Sequence, residues 1–224
     1  MCFSPEASFT AAAILVPAGL AAITRAYRTD RRYLPISVLP ILLGIQQAVE
    51  GIIWVSGGDP DRVKFLSLAY MFFTWLAWPV WTPLSLYFLE PARRKPVFVV
   101  FAILGGVLGS AQYFPYFAHD NWLVTKFLAH SISYQGNELF DYIIGRPATY
   151  ILYVSFVVGP LLLSSHLHIR IFGLLVFSVL VITYIFFAYA YISVFCYGGG
   201  LMSLYLVWMI FSNGGASVST VQSR

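Results

Sequence analysis

A chain of 224 residues that is 59% hydrophobic, 18% aromatic and only 10% charged falls far below the roughly 25% charge of soluble domains. A soluble fold this poor in charge could not cover its own surface with polar groups, so a soluble globular domain is excluded and lipid is the solvent that accepts it. The net charge of +4 sits in short loops between apolar runs, which reads as topology determinants and excludes nucleic acid as a partner.

Apolar runs cover about 8–26, 33–56, 65–89, 96–114, 148–167, 169–192 and 194–212. Each approaches or exceeds the roughly 20 residues that a bilayer crossing requires. The expectation is all-α: a polytopic transmembrane helical bundle of about seven spans forming one domain over 1–212. No basic stretch precedes the first run, so that helix is expected to insert as part of the mature protein.

The second run carries the acid Glu50. With Gln46, Gln47 and Trp54 it occupies one helical face, at spacings of three, four and seven. Lipid offers no partner for an amide or a carboxylate, so that face is expected to point into the bundle. Glu50 is then either a proton-active or ligand-binding acid, or a structural acid bonded between helices. The breaker Gly57-Gly58-Asp59-Pro60 ends this run. In the third run, Trp75, Trp78 and Thr82 recur at helical spacing, and Pro79 and Pro83 should bend the helix. The tryptophans read as an aromatic pocket wall or as packing. Glu90-Pro91 closes the run.

The connection 115–147 is the sizeable one, polar and aromatic, with His119, Asp120, Trp122, His130, Tyr134, Glu138 and Asp141. It is expected to be an ordered lid, with 121–130 lying as a short interfacial helix. Arg146-Pro147 opens the fifth run. His166 and His168 follow it; their spacing of two splays them about 200° apart on a helix, so they read as interfacial groups and not as a metal pair. No metal site is expected. Cys2 and Cys196 both fall at the outer ends of their helices. They read as a disulfide, a redox pair, soft metal ligands or two unrelated apolar residues. The Ser/Gly-rich segment 213–224 is expected to be a flexible cytoplasmic tail.

Orientation follows from the basic residues. One side holds nine of them: Arg25, Arg28, Arg31, Arg32, Arg93, Arg94, Lys95, Arg170 and Arg224. The other holds four: Arg62, Lys64, Lys126 and Arg146. The N-terminus is expected outside and the C-terminus in the cytoplasm.

The opening Met-Cys-Phe-Ser-Pro-Glu-Ala-Ser-Phe is similar to that of the uncharacterised bacterial membrane proteins that begin Met-Cys-Phe-Ser and have about seven spans. Further matching residues follow in the same order. They are Gln46-Gln47 with Glu50-Gly51 and Trp54, Trp78-Pro79 with Pro83, Leu89-Glu90-Pro91, and His130 with Ile132 and Tyr134. Then come Ser164-Ser165-His166, Phe172-Gly173, and Ser193-Val194 with Cys196. The sequence departs at Phe195-Cys196-Tyr197, where that family reads Trp-Cys-Phe. The resemblance implies location in a bacterial inner membrane and supplies no activity. It also implies that Cys2, Glu50, His130 and Cys196 act together.

The leading expectation is an outward-facing intramembrane pocket for a small or lipidic ligand. Gln46, Gln47, Trp54, Trp75 and Trp78 would line it, Cys196 would stand beside them, and Tyr134 would lie above. A catalytic version would pair Glu50 with His130 as acid and base. The alternatives are an accessory structural subunit of a larger membrane complex, and a thiol-redox or metal-binding membrane protein.

Overall fold

The structure is a computed structural model and describes residues 4–119 and 121–216, with side chains described through Ser212. It is 81% helical. Among the described residues, six helices are long and apolar enough to cross a membrane: Pro5–Thr29, Arg31–Val55, Pro60–Leu89, Lys95–Ala118, Leu167–Phe186 and Ala188–Ser212.

Local chemistry sets most boundaries. Helix α1 (Pro5–Thr29) starts at Ser4, whose hydroxyl accepts from the Ala7 N–H at 3.3 Å, with Pro5 at its first position. A 3-10 turn (Arg31–Tyr33) and the short α2 (Leu34–Ser37) lead into α3 (Leu39–Val55), which packs along α1. Asp59 caps α4 (Pro60–Phe72) through the Arg62 N–H at 3.1 Å. A π-helical turn (Phe73–Ala77) joins α4 to α5 (Trp78–Leu89).

Against α5 runs α6 (Lys95–Tyr113), followed by α7 (Pro115–Ala118). Pro79 and Pro83 lack the N–H groups that would bond the carbonyls of Trp75 and Pro79 in an α-helix. Those two carbonyls press against Gly109 and Gly105 of α6, where any Cβ would overlap them. The prolines and the glycines, each pair four residues apart, therefore form one seam in which backbone meets backbone.

The segment 121–130 is not the expected interfacial helix. Strand β1 (Leu123–Leu128) pairs antiparallel with β2 (Ser131–Gly136), from Leu123 opposite Gly136 to Leu128 opposite Ser131. Ser131-Ile132-Ser133-Tyr134 alternates polar and apolar side chains in a strand period. Its turn, Ala129-His130, lacks the Asn-Gly signature that would announce a hairpin. The bundle is thus mostly helical with one two-stranded hairpin, not purely α.

The short α8 (Leu139–Ile143) precedes α9 (Arg146–Val157) and α10 (Gly159–Leu163), which together occupy the fifth apolar run but break at Val158. Helix α11 (Leu167–Phe186) is separated from α12 (Tyr191–Ala216) by Phe187 and a 3-10 turn (Ala188–Ala190). Helix α12 continues four residues into the stretch read as a tail. The hairpin sits on one end of the bundle. Thr125 donates to Ser67 of α4 at 2.7 Å, Phe127 meets Trp54 edge-on at 5.9 Å, and β2 packs on the start of α12.

Candidate functional site

The predicted face of α3 does point inward. Gln46, Gln47 and Glu50 are all buried, Glu50 to 1% exposure. The two glutamines then diverge. Gln46 is fully engaged: its Nε2 donates to Cys196 Sγ at 3.3 Å and to Thr74 Oγ1 at 3.4 Å, and its Oε1 accepts from Trp78 Nε1 at 3.2 Å. One amide therefore ties α3 to the π-helical turn, α5 and α12. Gln47 has no partner among the described residues at either end of its amide.

Glu50 lies among Ser193, Gln47 and Tyr70, which are its hydrogen-bonding neighbours. The approach is looser than a formed bond, because Glu50 Oε1, Tyr70 Oη and Ser193 Oγ are all buried without a partner. Tyr134 of β2 stacks on Tyr70, with centroids 4.6 Å apart and planes at 13°, and its hydroxyl is likewise unpartnered. Four elements thus deliver a set of idle polar groups to one place. Leaving a buried polar group unbonded costs about 1–3 kcal/mol, and several such groups stand together around Glu50.

The other predicted residues are placed as follows. Trp78 is the anchor of Gln46. Trp54 is half-buried beneath Phe127, with its indole N–H unpartnered. Cys196 is a buried thiol beside Tyr70, Thr74 and Gln46. Cys2 lies outside the described residues, and so does its pairing with Cys196. The structure does not bring two residues to the cluster. His130 is exposed in the hairpin turn, four residues along the strand from Tyr134. Trp75 turns away from Gln46: its Nε1 donates to Tyr116 Oη at 3.2 Å and its ring meets Tyr153 edge-on at 5.1 Å. The π-helical turn holds Trp75 and ends just before Trp78, and its wider winding takes the two tryptophans off the shared face that a spacing of three gives in an α-helix.

Sequence reasoning missed Tyr70 and Thr74, and gave Ser193 only as a matching residue of the resemblance and not as a site residue. A signal was present: Tyr70 and Thr74 are four apart in the third run, and Ser193 is three before Cys196.

A second network starts at Trp75. Tyr116 donates to Glu138 Oε1 at 3.2 Å, and Arg146 reaches Glu138 Oε2 at 3.4 Å, Asp141 Oδ2 at 2.7 Å and the Gly136 carbonyl at 3.0 Å. With Asn137 and Tyr142, these acids and Arg146 line a cleft of about 210 Å³. Burial pushes the Glu138 carboxyl up to about 8; Asp141 acts in the same direction, against the pull of Arg146 and the Tyr116 hydrogen bond.

At the opposite end, Glu90 joins the ends of α5 and α10. It accepts from Ser164 Oγ at 2.5 Å, from the Ser165 N–H at 2.8 Å and from Ser165 Oγ at 2.7 Å. Burial raises this carboxyl, but the three donors outweigh it and hold it below its ordinary value. His166 bonds the Leu89 carbonyl at 3.2 Å beside it, and His168 bonds Tyr205 at 2.8 Å.

Four of the matching stretches in the resemblance therefore meet in space at the Glu50 cluster: Gln46 to Trp54, Trp78-Pro79, Ile132 to Tyr134 and Ser193 to Cys196. Two more, Leu89 to Pro91 and Ser164 to His166, build the Glu90 clamp. A model of the family of unknown function DUF6629 matches residues 1–220. The chain belongs to that family. No curated protein and no solved structure matches it.

Proposed function

We propose that this chain is a multi-pass protein of the bacterial inner membrane that binds a small or lipidic ligand in an outward-facing pocket at Glu50, beneath the hairpin. Seven spans are assigned by adding α9 and α10 as one interrupted crossing to the six long helices. The nine-to-four bias of basic residues supports an outer position for the hairpin, Glu50 and the start of α12.

One observation carries the pocket: Gln47, Glu50, Tyr70, Tyr134 and Ser193 are buried together with idle hydrogen-bonding atoms. Glu50 is the contact acid and Gln47, Tyr70, Tyr134 and Ser193 are the orienting groups. Gln46, Trp78 and Cys196 hold the floor. The hairpin closes the top through Tyr134, and Trp54 stands at the rim. Binding is favoured over acid–base catalysis, because His130 stays at the exposed turn.

Native mass spectrometry from mild detergent tests the reading. The expected result is a non-covalent adduct on the wild type that is lost in Glu50→Gln and Tyr70→Phe. An adduct-free chain that carries stoichiometric partner polypeptides would replace the pocket with the accessory-subunit reading.

A further inference from the structure

We infer that the occupant of the Glu50 pocket is a primary ammonium group, borne by a free amine or by the headgroup of an aminolipid. This rests on the pocket reading above and adds the ligand's chemical class.

Electrostatics come first. Glu50 is the acid of the cluster, and the titratable groups bearing on Glu50, Tyr70, Tyr134 and Cys196 are one another. Among the described residues, no lysine, arginine or histidine bears on them. An anionic occupant would face a carboxylate with no counter-charge, in a setting where charge is weakly screened. A cation makes the buried site neutral, and a buried charge is tolerated when it is paired and hydrogen-bonded.

Hydrogen-bond polarity then selects among cations. Ser193, Gln47 and Tyr70 each have a donor within reach of Glu50. When those donors turn to the carboxylate, what they leave for an occupant is lone pairs: Gln47 Oε1, Tyr70 Oη and Ser193 Oγ. Glu50 Oε1 adds one more acceptor, and Tyr134 Oη can accept as well as donate. The occupant must therefore be rich in N–H donors, and a primary ammonium offers three on a compact charge. The stacked Tyr70 and Tyr134 rings add aromatic surface of the kind that attracts cations. A quaternary ammonium would supply charge but no N–H, and would leave those acceptors idle.

The test is the melting temperature of the full chain in mild detergent, followed by tryptophan fluorescence at fixed pH and ionic strength. The probes are ethanolammonium, ethylene glycol, glycolate and tetramethylammonium. A lipid arm compares short-chain phosphatidylethanolamine with phosphatidylglycerol of the same chain length. The expected result is a saturable rise with ethanolammonium, with phosphatidylethanolamine, or with both. Whichever responds identifies the source of the amine. Ethylene glycol, glycolate and phosphatidylglycerol should leave the Tm flat. In Glu50→Gln the apparent affinity should fall on the order of tenfold or more. Ser193→Ala, which keeps the acid and removes one acceptor, should weaken it several-fold, and it serves if the Glu50→Gln protein cannot be purified.

An equal response to ethylene glycol, any response to glycolate, or wild-type affinity in Glu50→Gln overturns the charge assignment. A tetramethylammonium response equal to that of ethanolammonium overturns the N–H requirement. No response to either amine overturns the inference, and the native-mass adduct then decides separately whether a pocket exists.

Discussion

Glu138 shows how one residue ties an acid–base property to packing. Its carboxyl is pushed up to about 8 by burial, whereas an unfolded chain would ionise it near 4.5. The folded state therefore keeps a proton that the unfolded state has released between those values. By linkage, this group's contribution to stability falls as pH rises from about 4.5 to about 8. Glu138→Gln should remove that slope, and Tm measured against pH for both proteins checks it; an identical slope in the variant would sink the assignment. Glu90 has the opposite sign. Its three donors favour the carboxylate, so its contribution is present above its ordinary value and is lost as pH falls through the lower, folded one. Ser165→Ala removes one charge-assisted hydrogen bond to it and should cost about 2 kcal/mol. Ser178→Ala, where the hydroxyl only bonds back to Leu174 in an exposed turn, should cost close to nothing by the same measurement. Legibility at this scale was uneven. Gln46, Gln47 and Glu50 could be read from helical spacing and the cost of polar groups in lipid. The split between an engaged Gln46 and an idle Gln47 could not, because it depends on which neighbour arrives from α5 and α12. Glu138 was visible as a loop acid, but nothing in the chain's local order says that a loop acid will be buried.

Helices were predictable at the scale of elements because their hydrogen bonds are internal and their caps are local. The breaker Gly57-Gly58-Asp59-Pro60 does separate α3 from α4, and Asp59 caps the latter. The hairpin was not predictable, because each of its strands needs the other and the Ala129-His130 turn carries no signature. The seam between α5 and α6 lies between these cases. Pro79 and Pro83 announce freed carbonyls, but only packing shows that Gly105 and Gly109 receive them. Gly109→Ala would place a methyl group against the Trp75 carbonyl and should destabilise the bundle by about 1–3 kcal/mol. Gly58→Ala, which meets open space, is the control. Equal melting temperatures for the two variants would show that the helices do not meet backbone to backbone. The π-helical turn belongs here too, since its wider winding between Trp75 and Trp78 leaves Trp78 on Gln46 while Trp75 joins Tyr116.

For the molecule as a whole, the proposed seven crossings put the two termini on opposite sides of the membrane, while six would put them on one side. Reporter fusions at each terminus decide between these, and termini on one side would remove α9 and α10 as a crossing. Apolar composition pointed to lipid as the solvent and to the helical class, because a chain so poor in charge cannot satisfy water and an unpaired backbone cannot satisfy lipid. Six helices among the described residues, long and apolar enough to cross, were visible for the same reason, since length and hydropathy are properties of each run alone. Tertiary structure decided everything that joins distant segments. It laid β2 on the start of α12 and β1 on α4, set Tyr134 on Tyr70, and left His130 at an exposed turn. It also gathered unpaired polar atoms from four elements around one acid. Periodicity reports which face of a helix turns inward, but not which neighbour that face will meet; that choice is made by packing between segments far apart in the chain.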